Sequence, residues 1–136
     1  AERIAASGGA GLFIDYGYMT PAVGDTLQAL RRHEYDDVLA HPGEADLTAH
    51  VDFDALARIA QRHGLAAHMM DQGDFLLEMG LLARAGSLGA GKDAATQDRL
   101  RGEVERLADP EKMGSLFKVL AVFPAGRTVF PFPTAD

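Results

Sequence analysis

The feature that most constrains this sequence is a short apolar run that ends in polar residues. Residues 11–16 read Gly-Leu-Phe-Ile-Asp-Tyr and follow a helix-like opening segment that stops at two glycines. A run of this kind is typical of a buried parallel strand. Ligands of open α/β sheets bind outside the carboxyl ends of the strands, so Asp15, Tyr16 and the nearby Tyr18 become candidate site residues.

A second segment, Pro42 to Phe53, is rich in carboxylates and predicts a loop that runs directly into a helix. Asp52 is a favourable N-cap, and the apolar residues that follow recur at helical spacing until Gly64 ends the helix. Because such loops gather at the carboxyl edge of an α/β sheet, the two segments together predict one wall of an active site.

Beyond these segments, predicted strands alternate with predicted helices. Apolar runs indicate strands, and apolar residues at helical spacing indicate helices. Strands are expected at residues 26–35, 65–70 and 116–123, helices near 75–83, 100–107 and after Pro110, and loops at 36–48 and 86–93. Alternation of this kind indicates an α/β fold with a layered sheet.

Composition restricts the class of function. The net charge of −7 argues against a nucleic-acid partner, since phosphate contacts need clustered Lys and Arg. The lack of cysteine excludes disulfides, thiolate nucleophiles and cysteine-ligated zinc within the 136 residues. No apolar run approaches membrane-spanning length, so no membrane is expected as a partner, and the acidic balance favours a cytoplasmic, bacterial protein. The helix-like opening predicts that the chain is a piece of something longer or a processed form. The apolar residues 12–14 are therefore expected to form a central strand that is exposed where its neighbouring strands are missing.

Residues 86–93 resemble a phosphate-binding loop but depart from it twice. They match G-x-x-x-x-G-K, yet Asp93 stands where Ser or Thr would hold magnesium. The segment also follows a predicted helix, whereas a phosphate-binding loop follows a strand. We therefore interpret it as an interhelical loop.

Other catalytic and metal chemistries find little support. His50, Asp46 and Asp52 could be imagined as metal ligands, but their spacing matches no standard zinc pattern, and turn or helix capping is the favoured interpretation. No Ser-His-Asp order or nucleophile elbow is present. For Asp15, binding a ligand and capping a loop are equally supported.

Five ordered motifs resemble the C-terminal half of the MidA-type S-adenosylmethionine-dependent methyltransferases, relatives of the mitochondrial complex I assembly methyltransferase. The similarity runs from Ala1 to Val122. The motifs lie at Gly9–Tyr18, Gly24–Ala29, Pro42–Phe53, Gln72–Gly80 and Met113–Leu120. One departure is Asp71, where the family pattern has Thr.

The resemblance implies a Rossmann-like methyltransferase sheet with added helices. Residues 11–16 would be its fifth strand, 65–70 its sixth and 116–123 its antiparallel seventh. The implied activity is methylation of arginine in a protein substrate, with S-adenosylmethionine bound mainly by an N-terminal part that precedes this chain. No residue of this chain is therefore assigned to the cofactor, and none to a metal.

An arginine substrate calls for carboxylates that grip and orient its guanidinium. From the residue types at the predicted edge, we expect the catalytic carboxylates to be Asp15, Asp46 and Asp52. The expected substrate-binding residues are Tyr16, Tyr18, Thr48, His50 and Gln72.

The predicted domain organisation places the methyltransferase part at residues 1–123 and a proline-rich tail at residues 124–136. The expected partners are a protein substrate and either the N-terminal part of the same enzyme or a second copy of the chain. One alternative is a non-catalytic interaction module that kept the back half of the fold. Another is a small stand-alone α/β binding protein.

Overall fold

The computed structural model describes residues 1–132 and contains two β-sheets flanked by helices. The strands are β1 (Gly11–Tyr18), β2 (Gln28–Arg31), β3 (Glu34–Asp36), β4 (Asp46–Thr48), β5 (Val51–Asp52), β6 (Leu65–Asp71) and β7 (Phe117–Pro124). The helices are α1 (Glu2–Ser7), α2 (Phe53–Arg62), α3 (Gln72–Glu78), α4 (Leu81–Gly89) and α5 (Ala94–Ala108), followed by a π-helical turn at Pro110–Gly114.

The main sheet has the strand order β5-β1-β7-β6. β7 pairs antiparallel with both β1 and β6, so β1 and β6 run parallel to each other. The α/β class and the antiparallel strand between its two neighbours are confirmed. The three long strands begin and end within two residues of the predicted bounds.

Two apolar clusters cover the two faces of the main sheet. Leu120 and Val122 of β7 contact α2 through Phe53, Ala57 and Ala60. The alternate β7 residues, which point to the opposite face, form the second cluster with α3 and the C-terminal segment. That cluster contains Ala66, Phe75, Val119, Ala121, Phe123 and Phe132. The sheet therefore lies between two helical layers.

The apolar run forms the predicted strand β1, and it is exposed as expected of a central strand whose neighbours are not all in this chain. Leu12, Phe13 and Ile14 are 51%, 50% and 47% exposed. Along residues 11–16 this strand pairs only with β7, because β5 reaches only Gly17 and Tyr18 on the other edge. Among the described residues, nothing pairs with the remaining edge of β1.

The predicted cap and end of α2 are confirmed. The Asp52 carboxylate accepts a hydrogen bond from the backbone N–H of Ala55 at 2.9 Å. Gly64 follows the helix with a φ of 72°, the left-handed conformation that glycine adopts without steric cost.

A second, three-stranded sheet with the order β3-β2-β4 lies between β1 and α2 in the sequence. The single strand expected at residues 26–35 is corrected to a hairpin of two short strands, β2 and β3, because the chain turns at Arg32 and His33, which both have positive φ. The loop expected at residues 36–48 is corrected, because β4 occupies its end and pairs with β2. Three residues give too short a pattern to indicate a strand, and it is the pairing with β2 that makes residues 46–48 one.

The helical region before β7 differs in detail from the prediction. The helix expected near residues 75–83 is two helices, α3 and α4, and the loop expected at 86–93 begins only after Gly89. The helix expected after Pro110 is a single π-helical turn, capped by the Asp109 carboxylate. None of the helices described combines the length and apolar character that a membrane crossing requires.

Part of the proline-rich tail packs against the core. Phe132 is 3% exposed, and its ring stacks on that of Phe75 with centroids 6.0 Å apart. The tail prediction at residues 133–136 falls outside the described residues.

Candidate substrate site at the carboxyl edge of the main sheet

The carboxyl ends of β1 and β6 meet at one edge of the main sheet, where β7 begins. Asp15 lies opposite Lys118, and Lys118 lies opposite Asp71, so the three residues form one row across three strands. Residues directly opposite in a sheet point to the same face. The polar groups predicted at the ends of β1 and β6 therefore lie at one edge.

Lys118 neutralises the carboxylate of Asp71, the residue that departs from the family pattern. Its ammonium lies 2.6 Å from Asp71 and also donates to the carbonyl of Ser115. The Lys118 side chain is only 13% exposed, and a buried cation of this kind requires a partner. Asp71, the departure from the family pattern, is thus accounted for as the partner of Lys118.

Asp15 remains available at the same edge. It is exposed, and one of its carboxylate oxygens accepts the backbone N–H of Tyr16 at 2.8 Å. It takes part in no ion pair among residues 1–132. This geometry fits both interpretations of Asp15, because a capping carboxylate still has a second oxygen for a ligand.

Three aromatic rings lie side by side at this edge. The Tyr16 ring is 5.8 Å from that of His50 and 5.6 Å from that of Phe117, edge to face in both cases. His50 is held in place by its backbone N–H, which donates to the Thr26 hydroxyl at 3.2 Å. Sequence reasoning named Tyr16 and His50 but missed Phe117, because the first residue of an apolar strand resembles ordinary core.

Asp46 and Thr48 lie on β4 and, two residues apart, point to the same face of the small sheet. Asp46 is exposed. The Thr48 hydroxyl oxygen is buried without a hydrogen-bond partner among the described residues. Both are joined to the main sheet by only two residues, Ala49 and His50, before β5 begins.

The other predicted site residues have structural contacts of their own. Asp52 caps α2, and Tyr18 lies opposite it in the β1–β5 pairing. Gln72 is 7% exposed, and its amide donates to the carbonyl of Leu107 at 3.0 Å, which ties α3 to α5. Of the predicted site residues, Tyr16 and His50 are in contact with each other. The Gln72 side chain is instead hydrogen-bonded to Leu107.

Glycines of the motifs allow close packing around this edge. A side chain at Gly17 would overlap the carbonyl of Val51 and the Phe53 ring. Gly73 and Gly114 both lie against the carbonyl of Ala108, where an added Cβ would clash. Close approach of neighbouring backbone is therefore enough to explain why glycine occupies these motif positions.

The phosphate-loop interpretation is excluded by local structure. Residues 86–89 belong to α4, and Asp93 caps α5 by accepting the backbone N–H of Thr96 at 2.8 Å. Hydrogen bonding from Thr96 holds the pKa of the Asp93 carboxyl below its usual value, so it stays charged and would repel phosphate. No group of three potential ligands able to hold a metal ion occurs among residues 1–132.

A cavity of about 460 Å³ lies between α4 and α5. Its lining includes Leu82, Leu100 and Val104 but none of the residues of the carboxyl edge. Size alone would nominate it as a ligand site. Its lining contains no aromatic ring, and its carboxylate, Glu105, is accompanied by the cationic Arg101.

Comparison with known proteins agrees with the motifs. A family model described as "Putative S-adenosyl-L-methionine-dependent methyltransferase" matches residues 1–70. The mitochondrial protein arginine methyltransferase NDUFAF7 of Rattus norvegicus is 41% identical over 93% of this chain, and its Drosophila melanogaster homolog is 41% identical over 91%. The human NDUFAF7 is 38% identical over 93%. The chain spans 29% of the length of each of these relatives.

Solved structures share the fold. One, an uncharacterised protein from Burkholderia thailandensis, has a TM-score of 0.77 and 31% identity over 88% of this chain and 34% of its own. A second protein from that organism, described as a "likely methyl transferase", is bound to S-adenosyl-homocysteine. It has a TM-score of 0.74 and 32% identity over 84% of this chain and 31% of its own.

The cytoplasmic localisation predicted from the acidic composition is wrong, because the curated relatives are named as mitochondrial proteins. Net charge bears on solubility and association, and it does not determine the compartment in which a protein resides. The family prediction, in contrast, is confirmed by the matched model and by relatives that align over nearly all of the chain. The chain belongs to the S-adenosyl-L-methionine-dependent methyltransferase family.

Proposed function

We propose that this chain is the C-terminal part of a protein methyltransferase that transfers a methyl group from S-adenosylmethionine to an arginine side chain. The observation that carries the proposal is the carboxyl edge of the main sheet, where three aromatic rings are in contact on one face and the exposed Asp15 carboxylate lies on the other. The relatives named as protein arginine methyltransferases support the choice of substrate.

The residues of this chain fit the substrate better than the cofactor. Carboxylates and aromatic rings suit a planar cation, whereas a nucleoside cofactor is bound by a glycine-rich turn that opens a helix after a strand. No turn of that kind occurs in residues 1–136. We therefore place the main cofactor contacts in a part of the protein upstream of this chain, where S-adenosylmethionine would supply the methyl group.

This edge would have to align the arginine side chain with the methyl group and hold its positive charge. A guanidinium nitrogen forms a bond to the methyl carbon as the carbon–sulfur bond breaks, and that nitrogen then loses a proton. Arginine is a poor nucleophile because its guanidinium stays charged. A carboxylate such as Asp15 or Asp46 would hold the cation and turn one nitrogen towards the methyl group.

Asp46→Asn, made in the full-length enzyme, tests the role of Asp46. If Asp46 holds a cationic substrate, methyl transfer to an arginine peptide should fall roughly ten- to a hundredfold, the value of one charge-assisted contact. Stability should change little, because Asn keeps the size of the side chain and Asp46 is exposed on β4. The measurement is transfer of a labelled methyl group, with thermal unfolding alongside.

Asp37→Asn is the matched control for Asp46→Asn. Asp37 is an exposed carboxylate of the same region, and its side chain accepts the backbone N–H of Leu39 at 2.8 Å. Asp37→Asn removes the same charge as Asp46→Asn and should leave turnover unchanged. Wild-type turnover in Asp46→Asn would remove Asp46 from the site and leave Asp15 and Asp52 as candidates.

The partner and domain assignments belong to the same proposal. We propose residues 1–123 as the back part of the methyltransferase domain and residues 124–136 as a tail that follows it. The unpaired edge of β1 favours a covering partner, and the length of the relatives favours the rest of the same protein over a second copy. A non-catalytic module with the same covering contact is the alternative, and absence of methyl transfer by the full-length protein would favour it.

A further inference from the structure

The three aromatic residues at the carboxyl edge form a single row across three strands. Tyr16 of β1 lies directly opposite Phe117 of β7. Because Gly17 lies opposite Val51, His50 is placed beside Tyr16 on the other side. We call His50, Tyr16 and Phe117 the ring row. Both neighbouring pairs of rings have centroids less than 6 Å apart.

The ring row is separate from the hydrophobic core. The β7 residues that share a face with Phe117 are Val119, Ala121 and Phe123, and each is at most 1% exposed. Phe117 and Tyr16 are only partly buried and belong to neither core cluster. The core is thus complete without them, so core packing does not explain why two large rings stand at the end of the sheet.

The charged residues next to the ring row point to the other face of the sheet. Asp15 precedes Tyr16 and lies opposite Lys118, so both of these side chains are on the face away from the rings. The Lys118 ammonium is neutralised on that face by Asp71. A cation brought to the ring row would therefore be attracted by the rings themselves, with no repulsion from a neighbouring Lys118.

We propose that the ring row binds the guanidinium group of the substrate arginine, with Phe117 as a substrate-contact residue; the inference rests on the proposed arginine methylation. A planar cation within about 6 Å of a ring centroid is attracted by the negative face of the ring. Stacking also fixes the plane of the guanidinium, so the ring row would set the orientation of the substrate arginine.

The test uses the full-length protein with S-adenosylhomocysteine and a defined probe, the peptide acetyl-Gly-Arg-Gly-amide. Its binding is followed by NMR of the peptide, and a citrulline peptide of the same shape but without charge is the comparison. In the wild type, the arginine δ-methylene protons should shift upfield, because they lie over a ring. The citrulline peptide should bind more weakly and show little shift.

Phe117→Leu removes the ring but keeps an apolar side chain of similar reach. It should weaken arginine-peptide binding roughly five- to thirtyfold and reduce the upfield shift. Tyr16→Phe keeps the ring and should retain both binding and shift. If Phe117→Leu folds poorly, the upfield shift and the citrulline comparison in the wild type keep the test decisive. Phe130→Leu, at a ring that is 68% exposed and outside the row, is the matched control and should behave as wild type.

The possible outcomes separate the two proposals. Suppose that the enzyme still methylates the arginine peptide, that Phe117→Leu binds this peptide as tightly as the wild type, and that the wild type shows no upfield shift. This result would overturn the ring-row inference alone. Failure of the full-length protein to methylate or bind any arginine peptide would overturn the proposed function and this inference with it. Equal binding of the citrulline peptide would also contradict the inference, because a cation would not be what the row recognises.

Discussion

β1 and β7 are neighbouring apolar strands with opposite environments. Residues 119–123 of β7 are at most 4% exposed, and β7 is paired on both edges. Leu12, Phe13 and Ile14 of β1 are about half exposed, and their strand is paired on one edge. A run of apolar residues is typical of a strand that is buried in the complete fold. The difference between the two strands therefore supports the proposal that the surface covering β1 lies outside this chain.

Phe123→Ala should produce the largest loss of stability. The ring is 0% exposed within the second core cluster, so its removal leaves a cavity and should cost about 3–5 kcal/mol of unfolding free energy. Urea unfolding of the chain measures it. Phe130→Ala, at a 68% exposed ring, is the control and should cost far less. Equal losses for the two variants would contradict the description of β7 as the core strand.

Gly17→Ala should have the next largest effect, at the point where β1 becomes buried. A methyl group there would meet the Val51 carbonyl and the Phe53 ring, so overpacking should cost about 1–3 kcal/mol. Gly102→Ala is the matched control, because Gly102 lies in α5 with open space around it. That change should stabilise the chain by about 0.5–1 kcal/mol. A stabilising Gly17→Ala, measured by the same unfolding experiment, would show that the close approach does not exist.

Ile14→Ala should have the smallest effect in this chain and a larger one in the full-length protein. Ile14 is 47% exposed, so its truncation should cost roughly 1 kcal/mol or less here. Covered by the rest of the enzyme, the same truncation should cost about 2–5 kcal/mol, as in a packed core. Thermal unfolding of both forms gives the comparison. A small cost in both would mean that nothing covers β1.

Strong local signals were enough to predict most of the main sheet. β6 and β7 are continuous apolar runs, and α2 carries both an N-cap at Asp52 and a terminating glycine. β4 was missed because three residues are too few to show a period, and only pairing with β2 makes them a strand. The apolar run of β1 predicted a central strand with missing neighbours, and its exposure agrees with that prediction, but apolarity alone cannot say what covers it.

The candidate site was predictable only in part, for a similar reason. Asp15 and Tyr16 follow an apolar strand, which is a local signal for a ligand edge. Phe117 has no such signal, because its role appears only when β7 is placed beside β1. Gln72 was included with the motif that contains it, yet its amide is engaged by the Leu107 carbonyl. Motif membership does not separate packing residues from ligand contacts.

Amide hydrogen exchange on the isolated chain and on the full-length protein tests the central claim most directly. The claim is that β1 is an internal strand whose second neighbour lies outside this chain. Amides of β7 should be protected in both forms, because both of its edges are already paired. Alternate amides of β1 point to β7 and are already paired. The amides of residues 12–14 that point away from β7 should exchange quickly in the isolated chain and slowly in the full-length protein. Equal, fast exchange of these β1 amides in both forms would contradict the account.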